Sequence, residues 1–162
     1  MAKISIRPAT PADIALILRF IRELAEYEKA PEDAIATEAQ LAEALFCDNP
    51  KVYSVICDVG GEAAGFALYF YSFSTWLGSR GLFLEDLYVT PDFRGAGAGK
   101  ALLKHLARIA VREGCGRFEW NVLDWNQPAI DFYEAFGARP QSEWVGYRLT
   151  GPALTEFACS DG

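Results

Sequence analysis

The chain runs to 162 residues, of which 51% are hydrophobic, 14% aromatic and 23% charged, with a formal net charge of −7. That length holds about one domain, and its apolar content can offset chain entropy, which excludes disordered, collagen-like and disulfide-scaffold classes. The acidic balance disfavours nucleic acid and favours cationic partners, and no apolar run approaches the ~20 residues of a membrane span.

Met1 to Pro8 carries no apolar leader, which predicts a cytoplasmic protein. Ile4 and Ile6 alternate with polar neighbours as in a short strand. Thr10 and Pro11 then mark a helix start, as cap and first helical residue. Ile14, Ile17, Leu18, Ile21, Leu24 and Ala25 keep helical spacing to about Glu28. A second cap signal, Thr37-Glu38-Ala39-Gln40, opens a shorter helix through Leu45. Val52 to Asp58 and Ala63 to Tyr71, rich in β-branched and aromatic residues on either side of Gly60-Gly61, predict a hairpin. A loop with Trp76 and Gly78 leads to an apolar strand, Leu82 to Val89, in which alternation sends the adjacent Glu85 and Asp86 to opposite faces. The glycine-rich stretch 94–99 follows, then a helix from Lys100 to about Glu113 with Leu102, Leu103, Leu106, Ile109 and Ala110 as its buried stripe. Phe118 to Val122 predicts a strand, Pro128 to Phe136 a helix, and Trp144 to Leu149 a last strand. Strand, glycine loop, helix and strand within a strand-rich chain predict a mixed α/β or α+β sheet in a single domain, 1–162.

Cys47, Cys57, Cys115 and Cys159 are scattered, and His105 is the only histidine. No zinc-type spacing exists, so no metal site is predicted. His105 falls on the polar side of its helix with Arg108 and Arg112, as a solvated surface residue would.

A glycine loop between strand and helix suits phosphate, because exposed amides and the positive helix end both attract anions. A Walker A loop ending at Gly99-Lys100 would need glycine at Arg94 and a hydroxyl at Ala101. A dinucleotide fingerprint fails as well, meeting Lys100 or Leu102 at its third glycine. What remains is Arg94-x-x-Gly97-x-Gly99. A glycine turn without a ligand is the alternative.

Three stretches together carry a resemblance: Leu84-Glu85-Asp86-Leu87-Tyr88-Val89, Arg94-Gly95-Ala96-Gly97-Ala98-Gly99, and Trp125-Asn126-Gln127-Pro128-Ala129 with Phe132-Tyr133 and Gly137-Ala138. In them the chain resembles the GNAT acyltransferase superfamily, and within it the diamine (spermidine/spermine) and thialysine N-acetyltransferase branch. The likeness extends to Ile6-Arg7-Pro8-Ala9-Thr10, Glu23-Leu24-Ala25, Tyr27-Glu28, Gly65-Phe66-Ala67 and Trp76. It implies an α+β fold with a mixed, mostly antiparallel sheet flanked by helices, acetyl-CoA as acyl donor, a small cationic amine as acceptor, and a homodimer to which Leu149 to Ala158 contributes. Neither nucleic acid nor membrane is an expected partner.

The resemblance also implies roles. Amides from Arg94 or Gly95 through Ala96, Gly97, Ala98, Gly99 and Lys100 cradle the pyrophosphate. Backbone at Leu87, Tyr88 and Val89 pairs with the pantetheine arm, and Asn126 and Ala129 also touch the carrier. Tyr133 is the candidate acid for the leaving thiolate, packing beside Phe132 and Phe136 being its alternative role. Glu85 is the candidate base, through water because a carboxylate is weak toward an ammonium; a plain strand acid is the alternative. Tyr27, Glu28, Trp76, Glu85 and Asp86 form the expected amine site, a helix end and a loop aromatic being the plainer roles of the first three. Val145 stands where the polyamine enzymes carry an acid, with Glu143 nearby, so a lysine-like amino acid is as good an acceptor as a polyamine. The cysteines lie outside the shared motifs, which favours direct transfer in a ternary complex. A protein amino-group acetyltransferase and a non-catalytic acyl-CoA sensor are the rival readings.

Overall fold

The structure, a computed structural model, describes residues 2–161. They fall into two compact units, divided between Leu123 and Asp124.

The first unit is built on five strands in the order β1 (Ile4–Pro8), β2 (Tyr53–Val59), β3 (Glu62–Ser74), β4 (Ser79–Val89) and β5 (Arg117–Trp120). The first four pair antiparallel, and β4 pairs parallel to β5. The sheet is therefore mixed and mostly antiparallel, in an α+β arrangement as expected. The parallel pair needs a crossover, and α3 (Ala98–Arg112) supplies it.

One sheet face is covered by α1 (Ile14–Tyr27) and α2 (Glu38–Phe46). Ile17, Leu18 and Phe20 meet Leu41, Leu45, Ile56, Phe66, Leu68 and Tyr88 in a single core. Phe20 and Phe66, both fully buried, stack with ring centroids 5.7 Å apart. The other face takes the Leu102, Leu103, Leu106, Ile109 and Ala110 stripe of α3. Gly65 shows how close β3 and β4 run here. A Cβ at that position would come within 2.3 Å of the Tyr88 carbonyl oxygen, so only glycine fits.

The capping box at Thr37 forms as predicted, Thr37 N–H donating to Gln40 at 3.0 Å and Gln40 N–H to the Thr37 hydroxyl at 3.2 Å. At the first helix Thr10 takes the cap position and Pro11 the first helical one as expected, but of a short 3₁₀ turn rather than of α1 itself. A 3₁₀ turn, Pro11–Asp13, precedes α1, and the buried Asp13 carboxylate accepts from Thr10 N–H at 2.8 Å. Asp13 also takes a bidentate bond from Arg7 at 2.8 and 3.1 Å, while Arg7 Nε donates to Asp58 at 3.0 Å. The guanidinium holds the Asp13 carboxyl below its usual range, and the two carboxylates raise Arg7. One arginine thus joins β1, β2 and the start of α1.

The second unit contains α4 (Gln127–Ala135) and α5 (Gly151–Cys159). Asn126 caps α4, its side-chain oxygen accepting from Ala129 N–H at 3.4 Å. The strand expected at Trp144 to Leu149 does not form. A strand needs a ladder partner, and the described residues of this unit include no strand; Val145 and Tyr147 stay exposed instead. The helix α5, opened by Pro152 after Thr150, occupies the apolar segment that follows. Among the described residues no helix is long and apolar enough to cross a membrane.

Candidate active site

The glycine loop follows β4 through a 3₁₀ turn, Pro91–Phe93. Arg94 N–H closes that turn on the Pro91 carbonyl at 3.2 Å, so its amide is engaged. Gly95 and Gly97 take φ of 83° and 90°, left-handed values that favour glycine. The next six amides, Gly95 to Lys100, donate to no protein acceptor among the described residues, the first helical bond being Ala101 N–H to Gly97 at 3.0 Å. A row of outward amides at the positive end of a 15-residue helix fits a diphosphate.

Beside this loop the sheet opens. The β4–β5 ladder runs from Gly81↔Arg117 to Leu84↔Trp120 and stops, whereas β4 continues to Val89. Beyond Leu84 the β5 side of β4 therefore offers main-chain groups to a ligand able to act as an added strand. These are the residues, Leu87, Tyr88 and Val89, expected to hold the pantetheine arm.

The opening coincides with a bulge. Leu68 pairs with Asp86 and Tyr69 with Leu84, which leaves Glu85 outside the ladder. The extra residue resets the alternation. Leu84 shares the α3 face with Tyr69, and Asp86 shares the α1 face with Leu68, although the two are two positions apart. Simple alternation places Glu85 and Asp86 on opposite faces of a regular strand; instead Glu85 is an exposed bulge residue and Asp86 is partly buried. Burial first, then the negative charges of Glu85 and Glu28, push the Asp86 carboxyl up to about 6. Burial also raises Glu28. α1 ends at this point, since Lys29 takes a φ of 64°, the only left-handed non-glycine residue among those described.

Tyr27, Glu28, Glu85 and Asp86 are thus gathered between the end of α1 and the bulge of β4. The acids do not converge as metal ligands would: no group of three or more His, Cys, Asp or Glu among the described residues could hold an ion. Trp76 is placed elsewhere, 81% exposed at the tip of the β3–β4 hairpin. Six strand residues, roughly 20 Å at ~3.3 Å each, separate that end of β4 from Glu85. In the second unit Tyr133 lies on α4 with its ring 5.7 Å from that of Phe132 and 6.3 Å from that of Phe136. His105 is half-buried on α3, lowered by that burial and by Arg108 and Arg112.

The structure also brings in Arg19 and Glu23, for which the sequence suggested no role. Arg19, Glu23 and Tyr27, spaced i, i+4 and i+8 on α1, line a cavity of about 690 Å³ with Tyr88 and Arg94. Arg19 and Glu23 form an ion pair at 3.4 Å. The i+4 spacing was the available signal, yet it is equally that of a solvated helix face.

A profile of the Acetyltransferase (GNAT) family matches residues 18–138. Thialysine N-epsilon-acetyltransferase of Sus scrofa is 39% identical over 98% of this chain and 99% of its own length. An L-ornithine N5-acetyltransferase of Arabidopsis thaliana is 34% identical over 92% of this chain and 85% of its own. Among solved structures, an integron cassette protein from the mobile metagenome of V. cholerae superposes with a TM-score of 0.80 at 30% identity, covering 97% of this chain and 98% of that one.

Proposed function

Since the chain belongs to the GNAT acetyltransferase family, we propose that it transfers acetyl directly from acetyl-CoA to a primary amine of a small cationic molecule in a ternary complex, a lysine-like amino acid such as thialysine ahead of a polyamine. The observation that carries this reading is the bulge at Glu85, which presents Glu85, Asp86 and Glu28 together where β4 loses its β5 partner. Three carboxyls at the mouth of an opened strand suit a cationic acceptor. The names of the thialysine and ornithine relatives favour an amino-acid side chain as that acceptor, and Val145 in place of the polyamine enzymes' acid points the same way.

When bound, acetyl-CoA supplies an activated acyl thioester. The amides of Gly95 to Lys100 hold its diphosphate, with Asn126 and Ala129 as further contacts, and the edge that β5 leaves open at Leu87, Tyr88 and Val89 holds its arm. A main-chain amide there stabilises developing charge on the carbonyl oxygen, an effect worth about 3–4 kcal/mol where one such donor has been removed in other enzymes. Glu28 and Asp86 seat the ammonium beside Tyr27. Glu85, exposed on the bulge, accepts the proton through water, and Tyr133 returns one to the departing sulfur. Assembly as a homodimer and a cytoplasmic location belong to the same proposal; the exposed Val145, Tyr147, Leu154 and Phe157 of the second unit are apolar surface for a second copy to cover.

Thiol release measured with thialysine, lysine, ornithine, putrescine and spermidine tests the reading. It predicts turnover with the amino acids above the polyamines, and a loss on the order of 10²-fold in kcat for Tyr133→Phe and for Glu85→Gln. Thiol release with none of these amines would make the chain a carrier-binding module or a protein acetyltransferase, and unchanged turnover would remove the substituted residue from its role.

A further inference from the structure

The guanidinium of Arg94 points away from the loop its backbone opens. Its Nε donates to the Val89 carbonyl at 3.0 Å. Its central carbon lies 5.3 Å from the Tyr27 ring centroid and 5.7 Å from that of Tyr88, within cation–π range of both. No carboxylate among the described residues lies within 4.0 Å of it. The nearby Glu23 carboxylate on α1 adds to burial in raising the Tyr88 hydroxyl. One side chain therefore touches the last residue of α1, the end of β4 and, through its own main chain, the first residue of the glycine loop. Tyr27 is next to Glu28, so the same contact reaches the carboxyl cluster.

We propose that the Arg94 side chain is a positioning residue that ties the diphosphate loop to the amine-binding end of α1, so that occupancy of either site strengthens the other. The inference rests on the proposed function above. Gly95 and Gly97 leave the loop backbone many conformations. Anchoring Arg94 between two rings and a carbonyl restricts the first of them, and the anchoring guanidinium adds positive charge behind the amides. Linkage makes the effect reciprocal: whatever factor the amine adds to carrier affinity, the carrier adds to amine affinity.

Tyr27 separates this from a purely local role, because a residue that only touches the amine has no reason to affect coenzyme A. Calorimetric titration with coenzyme A, with and without saturating lysine, is done on wild type, Tyr27→Leu, Tyr27→Phe, Arg94→Ala and the Tyr27→Leu/Arg94→Ala pair. Tyr27→Leu weakens coenzyme A about three- to five-fold, the effect of one exposed cation–π contact, and Tyr27→Phe, which keeps the ring, restores it. Arg94→Ala weakens it further, raises the amine KM by more than it lowers kcat, and abolishes the lysine effect; the pair is no worse than Arg94→Ala alone. Both residues are exposed, so melting points stay at the wild-type value, and Arg94→Lys gives an intermediate loss as a second variant. Wild-type coenzyme A affinity in Tyr27→Leu, or additive losses in the pair, would overturn the inference while leaving the proposed function intact. No coenzyme A binding by wild type would overturn the function itself and this inference with it.

Discussion

At the scale of single residues the acid pair on β4 is the feature with the largest consequence. Asp86 is pushed up to about 6 by burial and by Glu85 and Glu28, so the folded state keeps a proton that the unfolded chain releases near 3.8. Stability contributed by Asp86 is full below that lower value, falls as pH rises between about 4 and 6, and stays reduced above it. Asp86→Asn is accordingly more stable than wild type at pH 8, by up to roughly 3 kcal/mol for two pKa units, and the difference closes toward pH 4. Urea unfolding at the two pH values checks this, and a difference that does not change with pH would contradict it. The types of these residues are legible in the sequence, but their orientation is not. A bulge depends on the register of the facing strand, here Leu68 and Tyr69 of β3, and a period-two pattern read along β4 alone carries no sign of it.

At the scale of elements, caps and periodicity locate most of the fold. α2 starts at its Thr37 box, α3 buries the predicted leucine stripe, and the β2–β3 hairpin turns about Gly60-Gly61. Local signals fail where the partner is remote. Trp144 to Leu149 alternates like a strand but has no ladder within its unit, and the bidentate bond from Arg7, on another element, to the Asp13 carboxylate leaves no local sign. The Arg7 junction makes its own prediction. Arg7→Ala leaves the buried Asp13 charge without its partner. A fully buried pair broken this way costs about 3–5 kcal/mol, and the 41% exposure of the arginine side chain reduces the expected loss to about 2 kcal/mol. Asp13 is depressed in the folded state, so the contribution is present above its ordinary range and lost as pH falls through the folded value. Denaturant unfolding at pH 7 and pH 3 therefore shows a gap between variant and wild type that narrows in acid. An equal gap at both would place the loss in packing rather than charge.

For the whole molecule the fold class and the phosphate loop are legible early, because glycine spacing and a following amphipathic helix are local. Which carrier the loop serves is not; the proposal of coenzyme A draws on the opened β4 edge, where the ladder ends at Leu84↔Trp120, together with membership of the family. A GNAT acetyltransferase whose main chain holds the donor places little demand on side chains in the loop. Under the proposed function it depends instead on glycine conformation and on free amides, and the acids of α1 and β4 specify the acceptor separately. The amides of residues 95–100, under the proposed function, grip the diphosphate of coenzyme A. Calorimetric titration of the protein with coenzyme A and with pantetheine, which lacks the phosphates, measures that grip. Two charge-assisted hydrogen bonds at ~1.5 kcal/mol each predict coenzyme A binding on the order of 100-fold tighter than pantetheine, with most of that advantage lost in Gly97→Val, whose side chain disfavours a φ of 90°. Equal affinity for the two ligands, or a Gly97→Val protein that keeps the full preference, would contradict it.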